Sequence, residues 1–483
     1  MQLEPSKHIL QRTAAEHEMQ RILDLQRSAF AHDINPNKKI RKDRLQRLLA
    51  MTQAHGDAIA SVISADFGNR SLHQTKLGEL LVVEGAIKHA IRHLAGWMRT
   101  RRAPTGLHYW PSYNRIMRQP LGVVGVISPW NYPFQLAICP AIGAVAAGNR
   151  VILKPSELTP RFSGLLKRIV AEYFSEDEIA VVIGDAEVGK VFAALPLDHL
   201  LFTGSTQVGR LVAQAAAKNL TPTTLELGGK SPVIIDPSAD IEVIAGRVAH
   251  GKLFNAGQTC VAPDYVLLHE SQQTQFVAAF TQAVAKMYPH IGANPDYTSI
   301  INDRHFSRLQ SLIEDAREQG ASIVECNPAN ESLDPQQRKM MPTLVLATTG
   351  QMRVLQEEIF GPILPILTYT KVEQVVEYIN LRDRPLALYW MGRDVAGRNH
   401  VLKNTLSGGV TVNDCLWHFV QEDVPVGGVG ASGSGAYHGE AGFRTFSKEK
   451  AIFTVSRFNS FGLLHPPYGK LFERVVKVLG KIL

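Results

Sequence analysis

The run Leu121-Gly122-Val123-Val124-Gly125-Val126-Ile127-Ser128 decides the fold, because it is apolar at nearly every position. A strand with one face in water alternates apolar and polar residues, whereas a strand buried on both faces does not. Further strands are predicted at 151–154, 180–183, 199–203 and 223–227, and helices at 133–147, 159–174, 187–195 and 206–218. This alternation predicts an α/β fold with a doubly wound parallel sheet.

A second alternating set of elements begins near Ser231. Its strands are predicted at 231–235, 264–268, 322–325 and 408–412, with helices such as 271–287 and 303–318 between them. This pattern predicts a second α/β domain that faces the first, with the active site in the cleft between them. Residues 16–100 read as successive helices that pack against a sheet.

Polar and small residues follow the predicted strands of the first sheet. They are Trp130, Asn131, Lys154, Gly204, Ser205 and Glu226. Open parallel sheets bind ligands at the carboxyl ends of their strands. We therefore expect these residues to converge on one crevice.

Cys260 lies in a predicted loop between an amphipathic run from Ile241 and the strand near Tyr265. A loop held by rigid elements can fix a thiol and keep it reachable, although a free cysteine is also often a small buried hydrophobe. Glu226 ends an apolar strand, where burial can raise its pKa and make it a general base. Asn131 follows a strand, where its amide can donate to an oxygen that becomes negative.

Six segments, in the same order along the chain, resemble motifs of the aldehyde dehydrogenase superfamily. They are PWNYPF at 129–134, KPSE at 154–157, FTGS at 202–205, ELGGKSP at 226–232, NAGQTC at 255–260 and EEIFGP at 357–362. The run 259–265 and the ending 439–443 resemble the class three and fatty aldehyde branch. Within that branch, 63–71 is similar to the coniferyl aldehyde dehydrogenases.

The resemblance implies oxidation of an aldehyde to its carboxylic acid through a thiohemiacetal and a thioester on Cys260. Asn131 and the Cys260 backbone N–H would stabilise the oxyanion, and Glu226 would activate the water that hydrolyses the thioester. A free cysteine has a pKa near 8.5, so the site must lower it or a base must take the proton.

The resemblance also implies a nicotinamide dinucleotide, held by residues from several motifs. Those residues are Trp130, Lys154, Glu157, Gly204, Ser205, Glu358 and Phe360. A carboxylate at Glu157 would accept the adenosine ribose hydroxyls and repel a 2′-phosphate. NAD is therefore favoured, with NADP possible, while a surface ion pair between Lys154 and Glu157 is the simpler alternative.

Two glycine patterns compete as dinucleotide sites. The segment 428–433 matches G-x-G-x-x-G, but it neither follows a strand directly nor opens an amphipathic helix. It reads as a flexible loop near the cleft. The segment 204–209 follows the strand 199–203 and opens a helix whose first amides can face a pyrophosphate.

These patterns and the resemblance divide the chain into four units. A cofactor domain spans 1–104 and 121–228, a catalytic domain 229–420, a small oligomerisation sheet 105–120 with 440–457, and an amphipathic tail 466–483. The small sheet pairs a strand at 112–118 with one at 451–455. The branch implies a homodimer, with a tetramer as the alternative. The tail either docks on its own subunit or lies on an anionic membrane surface.

Composition limits the remaining classes. The 483 residues suggest about three domains, and 45% hydrophobic residues can fill large cores. The formal charge of +7 comes without basic runs interleaved with aromatics, so no nucleic acid is expected. Four scattered cysteines and no histidine ligand spacing predict a reducing cytoplasm and no metal. No secretory segment or apolar run of about 20 residues is seen.

The substrate and three rival functions stay open from sequence. A coniferyl-type aromatic aldehyde is the first choice by resemblance, and a medium- or long-chain aliphatic aldehyde is the second. Aromatic residues around 107–113 and 415–419 line an apolar tunnel or simply fill the core. A zinc alcohol dehydrogenase is disfavoured because no ligand set appears, and a coenzyme A-acylating relative because Glu226 is present. A non-catalytic scaffold is disfavoured because Asn131, Glu226, Cys260 and Glu358 occur together.

Overall fold

The computed structural model describes residues 7–459 and 461–482. The strands are β1 Arg101–Ala103, β2 Tyr113–Pro120, β3 Val123–Ile127, β4 Arg150–Lys154, β5 Ile179–Val181, β6 His199–Thr203, β7 Thr223–Glu226, β8 Pro232–Ile235, β9 Tyr265–His269, β10 Ser322–Glu325, β11 Thr343–Leu346, β12 Ile363–Tyr369, β13 Ala387–Met391, β14 Gly409–Val412, β15 Gly433–Ser434 and β16 Ser447–Thr454.

The α-helices are α1 Lys7–His32, α2 Lys38–Phe67, α3 Leu72–Thr75, α4 Leu81–Trp97, α5 Gln135–Ala147, α6 Pro160–Tyr173, α7 Ala186–Ala193, α8 Thr206–Ala217, α9 Ile241–Leu253, α10 Gln273–Met287, α11 Asp303–Glu318, α12 Arg353–Gln356, α13 Val372–Asn380, α14 Val395–Asn404, α15 Gly439–Thr445 and α16 Lys470–Ile482. A π-helical turn, Lys76–Leu80, joins α3 to α4.

The first sheet has six strands in the order β15-β7-β6-β3-β4-β5. Strands β3 to β7 are parallel, and all five residues of β3 are buried. Val123 and Phe192 belong to a core on one face, and Val124 and Ile138 to a core on the other. The predicted doubly wound parallel sheet is confirmed.

The second sheet has seven strands in the order β10-β11-β12-β9-β8-β13-β14, and only the edge strand β10 is antiparallel. Sequence patterns predicted β8, β9, β10 and β14 but missed β11, β12 and β13. Strand β12 contains Pro365, which normally argues against a central strand. Pro365 lies where β12 changes partner, since 363–365 pair with β11 and 366–369 pair with β9.

A third, antiparallel sheet is formed by β1, β2 and β16. Ile116 of β2 lies opposite Ala451 of β16, so the predicted pairing of these segments is confirmed. Strand β1, just before the segment 105–120, was not predicted. The role of this sheet in oligomerisation and the four unit boundaries stay predictions.

The C-terminal tail forms α16, which packs against the turn Phe461–Leu464 of its own chain. Leu471 and Val478 remain largely exposed. Residues 1–6 of the proposed cofactor domain and residue 483 of the tail lie outside the described residues. Within 7–459 and 461–482, no helix is long and apolar enough to cross a membrane. Membrane contact by the tail stays a prediction.

The segment 428–433, predicted as a flexible loop, is instead held against the end of β7. Gly433 lies opposite Glu226, and the Leu227 N–H donates to the Ser432 carbonyl at 3.0 Å. Gly428 has to be glycine, because a Cβ there would lie 2.0 Å from the Ser432 carbonyl oxygen. The glycines therefore allow β15 to close beside Glu226.

Candidate active site

A cavity of about 220 Å³ lies where the two large sheets meet. Eight predicted site residues line it: Trp130, Asn131, Gly204, Ser205, Glu226, Cys260, Glu358 and Phe360. Asn131 follows β3 and Glu226 ends β7, both of the first sheet, whereas Cys260 lies in the loop before β9 of the second. The expected convergence at strand ends is thus seen, although Lys154 and Glu157 are not among the lining residues.

The loop that carries Cys260 is fixed by a buried amide and a left-handed turn. Helix α9 ends at Leu253, and Asn255 and Ala256 adopt φ values of 54° and 52°. The Gln258 side chain donates to Ser299 O at 3.1 Å and accepts from Ile301 N at 3.0 Å. These bonds satisfy backbone groups that the irregular loop would otherwise leave unpaired.

Asn131 is tied directly to that loop. Its Nδ2 donates to Gln258 O at 3.1 Å, and Asn255 Nδ2 donates to Asn131 O at the same distance. An asparagine amide carries two hydrogens. One is engaged by the loop, and the second is available to an oxygen in the cavity.

A buried ion pair holds the segment 129–134 from the other side. Arg70 Nη1 lies 3.0 Å from Glu79 Oε1, and both side chains are fully buried. Arg70 also donates to Asn131 O at 2.8 Å, while Glu79 Oε2 accepts the N–H groups of Phe134 at 2.7 Å and Gln135 at 3.0 Å. Two fixed charges therefore set the position of Asn131.

Glu226, unlike Glu79, has no ion-pair or hydrogen-bond partner for its carboxyl group among the described residues. It is 4% exposed, and neither carboxyl oxygen has a hydrogen-bond partner. Burial raises the pKa of Glu226 well above its ordinary value. A carboxyl with that proton affinity, in a cleft beside a thiol, has the properties of a general base.

The surroundings of Cys260 disfavour its thiolate. Burial, together with the nearby charges of Glu358 and Glu226, raises the pKa of Cys260 to about 12. The N–H groups of Cys260 and Val261 oppose the shift. Of the two possibilities left open by the sequence, the structure therefore favours a base that removes the proton, not a thiol of lowered pKa.

Glu358 and Phe360 are held by charged groups of the second sheet. Lys230 Nζ pairs with Asp264 and donates to Val354 O and Glu357 O, both at 2.8 Å. Glu358 Oε1 accepts the Gly229 N–H at 3.1 Å, yet burial raises the pKa of Glu358 to about 7.

Aromatic rings close the opposite wall. The Phe360 ring lies 5.4 Å from that of Trp130, at a steep angle. The His305 ring lies 5.2 Å from Trp130 on the same wall. These rings give the cavity an aromatic wall beside its carboxyl groups.

The residues at the start of α8 line the cavity where there is little room for side chains. Gly204 leaves no room for a side chain, since a Cβ there would lie 2.5 Å from the Phe202 ring. Ser205 caps the helix by accepting the Val208 N–H at 3.4 Å. Lys154, at the end of β4, is buried and lies 3.6 Å from Glu157, whose carboxylate is exposed at the surface.

Cys260 also lines a second cavity, of about 300 Å³. Its walls include Leu81, Phe254, Trp417 and Phe419. Residues 415–417 and 419 of the aromatic stretch noted in the sequence therefore line an apolar cavity. The aromatic residues near 107–113 lie elsewhere, since Tyr109 contacts Phe453 of β16 with ring centroids 5.7 Å apart.

Sequence patterns missed several residues of the site. Arg70, Glu79 and Gln258 hold it, and His305 and Arg308 line it. No local motif marks a buried charge or amide, because its partner lies far away along the chain. The segments that contain Arg70 and Gln258 carry a signal only through the family resemblance.

The other three cysteines are buried and free. Cys415 lines the second cavity, so its side chain is not enclosed by core residues alone. Cys326 Sγ lies 3.6 Å from Thr281 Oγ1. Over the residues that the structure describes, no group of three or more His, Cys, Asp or Glu side chains could hold a metal ion.

Comparison with known proteins decides the family. The model described as "Aldehyde dehydrogenase family" matches residues 7–452. This chain belongs to the aldehyde dehydrogenase family. The resemblance inferred from the motifs is confirmed, and the chain is an oxidoreductase that acts on aldehydes with a nicotinamide dinucleotide.

Three relatives show the similarity in detail. The chain is 49% identical over 460 residues to coniferyl aldehyde dehydrogenase of Pseudomonas sp. (strain HR199), covering 95% of each chain. It is 38% identical to aldehyde dehydrogenase family 3 member A2 of Macaca fascicularis, covering 95% and 93%. The solved structure "Substrate bound state of Staphylococcus Aureus AldH" matches with a TM-score of 0.90 and 38% identity, covering 95% and 99%.

The raised pKa of Cys260 predicts how the free thiol reacts with iodoacetamide. The thiolate is the reactive form, so the alkylation rate should rise steadily from pH 6 to pH 10, without a plateau. Intact-mass spectrometry at timed intervals measures this rate. The Cys260→Ser variant should lose most of the label, and any remainder should map to Cys415, which lines the second cavity. A plateau near pH 8 would contradict the prediction.

Proposed function

We propose that this enzyme oxidises aromatic, coniferyl-type aldehydes to carboxylic acids, with Cys260 as nucleophile, Glu226 as base and Asn131 as oxyanion donor. The supporting observation is the position of Cys260, which lines two different cavities. One contains the candidate cofactor residues, and the other has aromatic and aliphatic walls. A thiol in this position can bond to a carbonyl carbon whose substituent occupies the apolar side.

The first step forms the covalent bond. Glu226 accepts the proton of the Cys260 thiol, sulfur adds to the carbonyl carbon, and the π pair of the carbonyl moves to oxygen. The free Asn131 N–H and the Cys260 backbone N–H stabilise the resulting oxyanion. Losing one such donor typically costs about 2.7–4 kcal/mol of transition-state stabilisation. The proton on Glu226 then passes to solvent.

The second step converts the thiohemiacetal into acid. A nicotinamide dinucleotide, when bound, would supply the two-electron acceptor for the hydride that leaves the carbon, and the carbonyl restored on Cys260 would be a thioester. Glu226 then takes a proton from water as its oxygen adds to the acyl carbon. The C–S bond breaks, the carboxylic acid leaves, and sulfur recovers its proton.

The cavity of Glu226 suits a polar cofactor. Thr203 Oγ1, both Glu226 oxygens and His305 Nε2 are buried there without hydrogen-bond partners. Native proteins rarely leave such atoms unpaired, so a ligand that bonds to them fits the site. We assign the nicotinamide end to Glu358 and Phe360, and the pyrophosphate to Gly204, Ser205 and the first turn of α8. Trp130 would flank the ring.

NAD is the proposed cofactor. Glu157 can accept the adenosine ribose hydroxyls, and its charge disfavours a 2′-phosphate. Lys154 is available to the same ribose, although its ammonium donates to Pro155 O at 3.2 Å and Gly184 O at 2.9 Å. The family-level assignment covers both nicotinamide dinucleotides, and only this carboxylate argues for NAD.

A medium- or long-chain aliphatic aldehyde is the second candidate. Leu77, Leu81 and Val82 give the second cavity an aliphatic side that would accept an alkyl chain. The relative named aldehyde dehydrogenase family 3 member A2 is consistent with this alternative. The aromatic residues Phe254, Trp417 and Phe419 favour a planar substrate instead.

We also propose a homodimer, formed through the sheet of β1, β2 and β16. Both outer strands of this sheet have a free edge, and Trp110 and Phe458 nearby are 68% and 71% exposed. Exposed apolar clusters of this kind commonly mark protein contacts. A cytoplasmic location rests on the free cysteines alone.

The substrate proposal predicts the order of kcat/KM in a screen of aldehydes by NADH absorbance. Coniferyl aldehyde should exceed hexanal and dodecanal by about tenfold or more, since one or two lost contacts are worth roughly that factor. Added coenzyme A should leave the rate unchanged, because water is the acceptor. A preference for dodecanal would establish the aliphatic alternative.

The mechanism predicts different failures for two variants. Cys260→Ser should lose NADH formation entirely, whereas Cys326→Ser, outside both cavities, should keep it. Glu226→Gln lacks the base for both steps, so it should form NADH slowly, up to about one equivalent per site, and the acyl-enzyme that forms should persist and be detectable by mass spectrometry. Full turnover in Cys260→Ser would remove the nucleophile assignment, and steady turnover in Glu226→Gln would remove that of the base.

Cofactor choice is predicted to depend on the charge at Glu157. Glu157→Gln removes the repulsion of a 2′-phosphate, so kcat/KM for NADP should rise about tenfold while that for NAD falls. Glu172→Gln, an exposed carboxylate on α6, is the matched control. An unchanged NADP/NAD ratio in Glu157→Gln would show that this residue does not contact the ribose.

A further inference from the structure

The apolar cavity beside Cys260 contains a small number of polar side chains. Five of its lining residues are polar: Tyr132, Gln135, His250, Thr259 and Glu422. Tyr132 and Thr259 bond to each other, with 2.7 Å between their hydroxyl oxygens. Gln135, His250 and Glu422 take no part in this hydrogen bond. Glu422 is the only carboxylate among the lining residues.

Glu422 lies at a different border of the cavity from Cys260. It also lines a small adjoining cavity with Cys139, Tyr437 and His438. Cys260 instead lines the cavity of the candidate cofactor residues, and these two neighbouring cavities share no lining residue. A substrate bonded to Cys260 and filling the apolar cavity would therefore present a different end to Glu422.

The Glu422 carboxyl is buried with little to balance its charge. Its side chain is 15% exposed, and the His438 ring lies 3.7 Å away. Both His438 nitrogens lack hydrogen-bond partners, and burial lowers the His438 pKa to about 4, so this ring is neutral. Among the side chains of residues 14–459 and 461–481, no Lys or Arg lies within ion-pair distance of Glu422. The Gly439 N–H is directed at its carboxyl.

Gln135 is a second unsatisfied group at this cavity. It is 3% exposed, and its Nε2 has no hydrogen-bond partner. Its backbone is fixed at the start of α5 by the bond from its N–H to Glu79 Oε2, at 3.0 Å. Buried amides are normally paired, so an unpaired one in a pocket wall indicates a group that a ligand completes.

We propose that Glu422, assisted by Gln135, selects aldehydes that carry a hydroxyl group at the end remote from the carbonyl. The substrate class is thereby a hydroxylated aromatic aldehyde. This inference rests on the proposed function, and it assigns specificity to residues outside the catalytic set.

A hydroxyl fits these residues better than an ammonium group does. A hydroxyl can donate to an ionised carboxylate and can accept from a protonated carboxyl, and it also pairs with an amide. An ammonium group would need the ionised form of Glu422 and further polar groups to compensate its loss of hydration. An otherwise apolar cavity does not supply those groups. Burial that raises the pKa of Glu422 to about 7 favours the same choice.

The test compares three substrates in four proteins. The substrates are 4-hydroxycinnamaldehyde, cinnamaldehyde and 4-aminobutanal, and the proteins are the wild type, Glu422→Leu, Glu422→Gln and Asp423→Asn. Asp423, 87% exposed and paired with His89, is the matched control because it adjoins Glu422 but does not line the cavity. Each pair is measured as kcat and KM from NADH absorbance.

We expect the wild type to prefer the hydroxylated substrate to cinnamaldehyde. Glu422→Leu should lower kcat/KM for 4-hydroxycinnamaldehyde about 10- to 100-fold, through KM, because it removes a hydrogen bond to a carboxylate. Its kcat/KM for cinnamaldehyde should stay the same. Glu422→Gln, which keeps an acceptor for Gly439, should give a smaller loss in the same direction, and Asp423→Asn should show none.

Other outcomes overturn the inference in distinguishable ways. Equal losses for both aromatic substrates would assign Glu422 a structural role. Equal wild-type rates for both aromatic substrates, unaltered in the variants, would reject hydroxyl selection while the aromatic aldehyde function stands. Preference for 4-aminobutanal would replace the hydroxyl by an ammonium group, and oxidation of none of the three would reject the proposed function itself. If Glu422→Leu does not fold, Glu422→Gln still decides the ratio.

Discussion

The buried ion pair of Arg70 and Glu79 is the interaction on which the site geometry depends. Both side chains are completely buried, and each also bonds to the backbone of the segment 129–134. Burying two charges costs several kcal/mol per ion, so such a pair is a poor source of stability. What it supplies is position, because Arg70 bonds to the carbonyl of Asn131 itself. The Arg70 guanidinium also lies 4.9 Å from the centre of the Tyr132 ring.

A second buried ion pair fixes the backbone on the other side of the cavity. Lys230 and Asp264 form a largely buried pair, and their spare donors and acceptors go to the backbone near Glu358. Asp264 Oδ2 accepts the Ile359 N–H at 2.9 Å. Catalytic loops lack the regular bonds of strands and helices, so their backbone groups need other partners. Charged pairs with several donors meet that need within a small volume, and they fix both walls of the cavity.

The sequence was most informative where local pattern and topology agree. The strand β6, the helix α11 and the placement of Asn131 and Glu226 at strand ends followed from periodicity, since parallel strands bring their carboxyl ends to one edge. Strand β12 was missed because it contains Pro365, and a proline normally argues against a central strand. The strand accepts Pro365 because it changes partner at that point. Arg70 and Glu79 were missed for another reason. A charged residue in a helical segment reads as exposed unless its distant partner is known.

Glu79 and Glu226 show why burial alone does not make a carboxylate reactive. Both are nearly or fully buried, at 0% and 4% exposure, and burial raises the pKa of each. Glu79 is balanced by the Arg70 charge and two backbone N–H groups, so its proton affinity is opposed and its oxygens are engaged. Glu226 has neither compensation, and both of its oxygens remain free. Glu226 therefore combines high proton affinity with free lone pairs, which a general base requires, while Glu79 has the fixed geometry of a structural residue. The chain thus uses one residue type in two roles, and the partners around each carboxyl decide which role it has.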